Sequence, residues 1–397
     1  MTSKRIYLDY NATTPCDPRV IDAMLPFFYE HPGNAASRNH PFGWEAEDAV
    51  TTAREQIADL INVETKEIVF TSGATESNNL ALRGVFEMYR RKGKHIITVS
   101  TEHKAVLDTC KYLEKHGGEV TYLDVDKKGL IDLEALKNAI REDTILVSIM
   151  WGNNETGVLQ PMEEIGEICQ EKGVLLFSDA TQVVGKIPVA PKDLGIHLMA
   201  FTAHKMYGPK GVGALYVSRK SPRVKVTEQM SGGGHEGGMR SGTLNVPGIV
   251  GFGKATAIAK EEMAAETLRL EALRNKLEQA LLEQVEASSV NGSRSARMPH
   301  VTNISFQYVD SEGLLMTFNQ NIAVSTGSAC TSASLDPSHV LTGMGIEDDL
   351  AKSSIRFSLG RFTTEEEIDT TIKAVVAGIE QLRALSPVWE LHKDGRI

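Results

Sequence analysis

The chain is short of several things, and each shortage excludes a class of function. Cysteine is scarce: Cys16, Cys110, Cys169 and Cys330 stand far apart, with no CxxC and no histidine cluster near them. That argues against a disulfide framework or a structural zinc site and favours a reducing compartment. Positive charge is in deficit, with 42 Lys and Arg against 52 Asp and Glu, a formal net charge of −10. Nucleic acid is therefore not expected as a general partner. No apolar run approaches the ~20 residues that span a bilayer, so no membrane role is expected. Met1-Thr2-Ser3-Lys4-Arg5 passes straight into Ile6-Tyr7-Leu8-Asp9-Tyr10, which leaves no room for a signal peptide. The expectation is a cytoplasmic, bacterial protein. Internal repeats and low-complexity tracts are also lacking.

What is present is an ordinary globular composition, 41% hydrophobic and 24% charged, on a chain of 397 residues. That length exceeds the usual span of one core and predicts two domains. Short apolar runs closing on polar clusters recur along it. Glu67 to Phe70 leads into Thr71 to Asn79, His95 to Val99 into Ser100-Thr101-Glu102-His103, and Thr144 to Met150 into Trp151 to Gly157. Val174 to Phe177 leads into Ser178-Asp179-Ala180-Thr181-Gln182, and Leu198 to Phe201 into Thr202-Ala203-His204-Lys205. Such runs read as buried strands of a parallel sheet, with helical segments between them. The predicted fold is α/β, a mostly parallel sheet wrapped by helices, with five polar clusters converging on its carboxyl edge. A helix from Glu261 to Val285, with leucines at 270, 273, 277 and 281, reads as the boundary into a second domain, ended by the Asn291-Gly292 turn. Val301 to Tyr308 and Ile322-Ala323-Val324 read as strands there. Thr364-x-x-Glu367 is a capping box that opens a C-terminal helix.

Two strand ends carry complementary chemistry. Asp179 and Lys205 could grip opposite sides of a flat aromatic cofactor. Pyridoxal phosphate requires such a pair, an amine for the Schiff base and a carboxylate to keep the ring nitrogen protonated. Taken singly, a capping aspartate and a surface lysine are the ordinary readings. Thr71 to Asn79 is either a phosphate cup at a positive helix end or a plain N-cap. His103 alone is a capping or core-edge histidine. Ser325 to Ser334 contains no large side chain, which predicts a mobile loop carrying one thiol, Cys330. A thiol in such a polar setting is better explained as a nucleophile or carrier than as an inert structural group. Arg356, in a strand from Ser353 to Ser358, is either a bidentate clamp for a carboxylate or a structural ion pair. The basic patch of Arg219, Lys220, Arg223 and Lys225 either recruits an acidic partner or is a solvated loop. Ser231 to Gly238 lacks both the GxGxxG spacing and a Walker lysine, and reads as flexible backbone passing close to something.

In this order the motifs resemble the pyridoxal-phosphate-dependent cysteine desulfurases, in their group I branch that serves iron–sulfur cluster assembly. The resemblance covers nearly the whole chain. It is most specific at Thr71 to Asn79, Thr101-Glu102-His103, Asp179-Ala180-Thr181-Gln182, His204-Lys205, Met239-Arg240-Ser241-Gly242-Thr243-Leu244, Ser328-Ala329-Cys330-Thr331-Ser332 and Ser354 to Arg361. It implies an aminotransferase-like fold of type I. A large domain over residues 16–262 would bind the cofactor, and a small α+β domain over 1–15 and 263–397 would carry the Cys330 loop. It implies that Lys205 holds the cofactor as a Schiff base, Asp179 pairs with its ring nitrogen, and Gln182 and Asn154 contact its hydroxyl side. His103 would stack on the ring as an acid–base group. Ala74, Thr75, Thr202 and His204 would hold the phosphate, with Thr243 reaching over from the partner of a homodimer. Arg356 would grip the carboxylate of L-cysteine, with Asn154 within reach. Cys330 would take the sulfur as a persulfide and release L-alanine. No resident metal is implied, only a cluster transiently ligated by Cys330 and shared with a scaffold protein. Implied partners are that scaffold, other sulfur acceptors, and a frataxin-like regulator at the basic patch.

Three positions depart from the family pattern. Trp151-Gly152 stands where relatives often carry His-Val, Gly237 where they usually carry Arg, and the chain stops at Ile397, short of the longer tail. The expectation is intact chemistry with altered or weaker scaffold docking. Rival readings are a selenocysteine lyase or other enzyme of the same fold, which need not use Cys330, and a non-catalytic sulfur-relay subunit, which would bind no cofactor.

Overall fold

The computed structural model describes residues 5–220, 222–326 and 336–396; Cys330 lies outside them. Twelve strands are present among these residues. The first eight are β1 (Ile6–Tyr7), β2 (Ile68–Thr71), β3 (His95–Val99), β4 (Glu119–Leu123), β5 (Thr144–Ser148), β6 (Leu175–Asp179), β7 (Leu198–Thr202) and β8 (Gly213–Val217). The last four are β9 (Ser288–Val290), β10 (Val301–Phe306), β11 (Ile322–Ala323) and β12 (Ser354–Ser358).

Seven strands form the main sheet in the order β2-β8-β7-β6-β5-β3-β4. All neighbours are parallel except β8, which runs antiparallel to both β2 and β7. The other six strands therefore share one direction, and the five polar clusters leave the sheet at one edge, as expected of a mostly parallel α/β sheet. One face is covered by the helices Ala74–Tyr89 and Lys104–Lys115, through Leu80, Val85, Val106 and Leu113. The other is covered by Pro41–Leu60, Met162–Lys172 and the first half of Val246–Gln284. Pro41–Leu60 follows from its sequence. Pro41 fits the first helical turn, His40 Nδ1 accepts from Gly43 N at 3.1 Å, and Ala46, Val50, Ala53 and Ile57 recur at helical spacing on the buried face.

A second apolar cluster lies under the antiparallel sheet β9-β10-β12. Leu270, Leu277 and Leu281 of the long helix meet Ile368, Ile372, Val375 and Ile379 of Glu365–Arg383 there. Thr364 and Glu367 cap that last helix reciprocally, at 3.2 and 3.1 Å. The long helix begins at Val246, not near Glu261, and serves both cores in turn. Its end is Gln284 rather than the Asn291-Gly292 turn, because β9 intervenes. β12 is buried at every residue and does not alternate, since both of its faces are covered. The N-terminal chain ties the parts together. β1 pairs with β11, and Asp9 bridges to Ser358. Among the described residues, no helix is long and apolar enough to cross a membrane.

Candidate active site

A cavity of about 560 Å³ opens at the carboxyl edge of the main sheet. Ten of the singled-out residues line it: Ala74, Thr75, His103, Asn154, Asp179, Gln182, Thr202, His204, Lys205 and Arg356. Thr243 does not; it is exposed and stands apart from the cavity of its own chain.

Each wall follows from local chain geometry. Thr71 ends β2, and the chain turns at Gly73, φ +156°, into the helix Ala74–Tyr89, whose first turn has no side-chain cap. A Cβ on Gly73 would meet only Thr202 Oγ1, at 3.9 Å, so the space over this helix end is open. Across the sheet, a Cβ on Gly213 would press to 2.7 Å from the Gly73 backbone, so the turn sits tight on β8. Uncapped N–H groups at a positive helix end, with Thr202 and His204 facing them, fit a phosphate.

Asp179 ends β6 and is nearly buried. Its carboxylate accepts from Asn78 Nδ2 at 2.7 Å and from Thr181 N at 2.9 Å. Lys205 follows β7, and its Nζ donates to the carbonyls of Asn11 and, at 2.7 Å, Ala12. Burial pulls the His103 imidazole below its usual value, against the opposing charge of Asp179. His103 Nδ1 accepts from Ala105 N at 3.1 Å, so the neutral ring carries its proton on Nε2. His204 is lowered to about 4 by burial, then by Lys205 and Lys210.

The remaining wall is Arg356, buried in β12. It is the structural ion pair that the sequence allowed, and it also lines the cavity. Nη2 pairs with Asp9 Oδ1 at 2.6 Å and Nη1 donates to the Asn154 carbonyl at 2.9 Å, while the guanidinium still lines the cavity. Its Nε, Asn154 Oδ1, Gln182 Oε1 and Thr181 Oγ1 are buried without partners. Buried polar atoms are rarely left unpaired, so this set marks where a polar ligand belongs. A phosphate cradle, an amine, a held carboxylate and orphaned amide oxygens around one cavity fit pyridoxal phosphate.

Three neighbours that serve the cavity are not singled out by the sequence analysis. Asn11 is a hub: its carbonyl takes Lys205 and, at 3.1 Å, Gln182 Nε2, its Nδ2 donates to the Asn154 carbonyl at 3.1 Å, and His300 Nε2 meets its Oδ1 at 2.8 Å. Asn78, polar on the sheet-facing side of an apolar helix, was the readable hint for the Asp179 partner. Glu102 is fully buried, with Oε1 accepting from Met150 N at 2.5 Å. Burial, then the Asp179 charge, push it well above the ordinary carboxylate range.

Elsewhere, Cys110 and Cys169 are buried, and burial pushes Cys169 up to about 12 and Cys110 higher. The stretch around Glu236 does pass close to something: Glu236 accepts from Arg54 at 2.7 and 2.8 Å and from Phe70 N at 2.8 Å. In the basic patch, Lys220, Arg223 and Lys225 are exposed, and Lys220 pairs with Glu64 at 2.6 Å. Gly237 lies beside it at φ +63°, where a Cβ would meet Arg219 Nη2 at 3.4 Å.

The aminotransferase class-V family model matches residues 6–371. The chain is 58% identical over 390 residues to a protein of Anaeromyxobacter sp. strain Fw109-5 named cysteine desulfurase IscS, covering 98% of this chain and 96% of that one. It is equally 58% identical, over 392 residues and with the same coverage, to cysteine desulfurase IscS of Escherichia coli O139:H28. Among solved structures, a NifS-like protein superposes with a TM-score of 0.88 at 40% identity, covering 94% of this chain and 98% of its own.

Proposed function

Since the chain belongs to the aminotransferase class-V family and is a pyridoxal-phosphate-dependent cysteine desulfurase within it, we propose that its cavity converts L-cysteine to L-alanine while the sulfur passes to Cys330. The observation that carries this reading is the meeting of Lys205 Nζ, the Asp179 carboxylate and the Arg356 guanidinium on one cavity. Lys205 would hold the cofactor covalently, Asp179 would keep its ring nitrogen protonated, and Gln182 and Asn154 would meet its hydroxyl side. Ala74, Thr75, Thr202 and His204 would hold the phosphate. When bound, the cofactor supplies an electron sink for the charge left on the substrate as its C–S bond breaks.

The residues of the chain do the rest. Arg356 orients L-cysteine by its carboxylate, with Asn154 beside it. Neutral His103 and the Lys205 amine carry protons to and from the substrate. The Cys330 thiolate attacks the substrate sulfur. An S–S bond forms and the C–S bond breaks, and the electron pair stays on carbon, which takes a proton to become L-alanine. The sulfur remains as a persulfide on Cys330, and no outside oxidant is needed. Cys110 and Cys169, buried and held as thiols, are unsuited to that attack.

The same reading divides the chain into a cofactor domain over 16–262 and a small domain over 1–15 and 263–397, supported by the separate apolar clusters. It makes the enzyme a homodimer in which Thr243, outside its own cavity, serves the partner's phosphate. Sulfur then goes to an iron–sulfur scaffold and other acceptors, with the exposed basic patch facing an acidic regulator, in a bacterial cytoplasm. The test is an absorbance spectrum followed by L-cysteine addition, on the wild type and Cys330→Ala. A yellow protein that makes alanine, with a coloured but inactive variant, is expected. Turnover that survives the loss of Cys330 would mean a lyase or transaminase, and a protein that takes up no cofactor would mean a relay subunit.

A further inference from the structure

The chain on either side of Cys330 is seated on the substrate wall, downstream by Glu155 and Ser338, which the desulfurase reaction does not otherwise use. Upstream, Ser325 exchanges backbone hydrogen bonds with Arg356, at 3.2 and 2.7 Å. Downstream, Ser338 Oγ donates to Glu155 Oε2 at 2.5 Å. The next residue, His339, bonds through Nε2 to the Glu102 carbonyl at 2.9 Å, one residue before His103. Glu155 directly follows Asn154 and is itself fixed. Its N–H donates to Asn153 Oδ1 at 2.9 Å, and its carbonyl accepts from Asn303 Nδ2 at 3.3 Å. Glu155 is 4% exposed and Ser338 5%, so their bond lies out of water, where a lost partner is not replaced.

Cys330 stands five residues after Ser325 and eight before Ser338. Extended chain covers at most ~3.5 Å per residue, so the two tethers reach about 17 and about 28 Å. The rate at which a tethered nucleophile meets its target depends on where the tethers are planted. Here both are planted on the wall that carries Arg356 and Asn154.

We propose that Glu155 and Ser338 form a positioning pair for the sulfur-transfer step, planting the downstream foot of the Cys330 segment beside the substrate. This rests on the reading of Cys330 as sulfur acceptor. Burial pushes the Glu155 carboxyl up to about 7, against the Ser338 hydrogen bond and the charges of Arg356 and Lys104. At pH 8 it is therefore an ionised acceptor for the Ser338 hydroxyl.

Ser338 also caps the helix His339–Gly343, accepting from Val340 N and Leu341 N at 3.2 and 3.3 Å, and the test must separate the two roles. Ser338→Asp keeps a capping oxygen but, at pH 8, replaces the donor with a second carboxylate against Glu155. Ser338→Thr keeps both roles, and Glu155→Ala removes the pair from the other side. The cofactor-loaded protein is mixed with L-cysteine. The absorbance change reads binding, and the mass of the Cys330 peptide reads persulfide in a single turnover. Ser338→Asp and Glu155→Ala are expected to form persulfide on the order of tenfold to a hundredfold more slowly than wild type. Half-saturating L-cysteine should stay within about twofold, and Ser338→Thr should match wild type. Should Ser338→Asp fail to fold, Glu155→Ala, which leaves the Ser338 cap in place, carries the same comparison. Unchanged persulfide rates in these variants overturn the proposal. So does a parallel loss of L-cysteine binding, which would make the pair part of the substrate wall alone. Turnover in Cys330→Ala would instead remove the reading of Cys330, a separate failure.

Discussion

The two walls of the cavity are built in different ways. The cofactor wall, with Asp179, Thr202, His204 and Lys205, grows from adjacent strands of one sheet, so the sheet backbone places its groups, and remote contacts such as Asn78 on Asp179 and Lys205 on Asn11 are added to that frame. The substrate wall is assembled from remote pieces. Asn11 reaches Asn154 across 143 residues, Arg356 reaches Asn154 across 202, and Arg356 reaches Asp9 across 347. A sheet edge is rigid whatever side chain it presents. A wall made of side-chain bonds is not, because the groups proposed to bind substrate are also the groups that hold the wall together. Substitution should therefore separate activity from stability on the first wall and couple them on the second.

The largest effect is expected at Lys205→Ala. It should abolish the covalent cofactor band and lower desulfurase turnover by at least about a thousandfold, while unfolding of the cofactor-free protein by denaturant moves by less than about 1 kcal/mol. A large loss of stability there would erase the contrast between the walls. Arg356→Ala should behave oppositely. The cofactor band remains and kcat/KM for L-cysteine falls about a hundredfold, while removal of one partner from a buried pair costs on the order of 3 kcal/mol of stability. Arg356→Lys should recover part of the stability but little of kcat/KM, since an ammonium lacks the fork that spans a carboxylate. Recovery of both together would show that charge alone, not the fork, is what the wall uses.

The same division decides what could be read before the structure. Asp179 and Lys205 are legible because a buried strand stays apolar until it ends, and polar groups at several such ends must share an edge. The direction of β8 is not legible. Gly213 to Val217 is as apolar as its neighbours, and an apolar run carries no sign of which way it points. Arg356 could be read as clamp or ion pair, but its ion-pair partner could not be named, since Asp9 lies at the other end of the chain. Asn11 looks like one more polar residue in a turn-rich loop, and its role arises only when Asn154, Gln182, Lys205 and His300 close around it. Glu155 is similarly silent, because burial is what gives its carboxyl unusual properties, and burial at a strand-end loop is a tertiary fact.

Glu155 also gives the smallest and sharpest test of the substrate wall. Its folded carboxyl is raised from the ordinary 4.5 to about 7, chiefly by burial. Below 4.5 both folded and unfolded chains hold the proton, and the group favours neither loss nor gain of structure. Between 4.5 and about 7 the unfolded chain releases the proton while the folded chain keeps it, so rising pH favours unfolding, and the loss is complete once pH passes the folded value. Glu155→Gln removes this titration and keeps an oxygen that can accept from Ser338. The stability of the variant relative to wild type should then climb from pH 5 to pH 7.5 by on the order of 1–3 kcal/mol and level off above it. Denaturant unfolding at a series of pH values measures this directly. A difference of the opposite sign would mean that Glu155 is ionised in the folded chain and held by Arg356. The substrate wall would then close on a buried ion pair, and the Ser338 hydroxyl would be secondary to it.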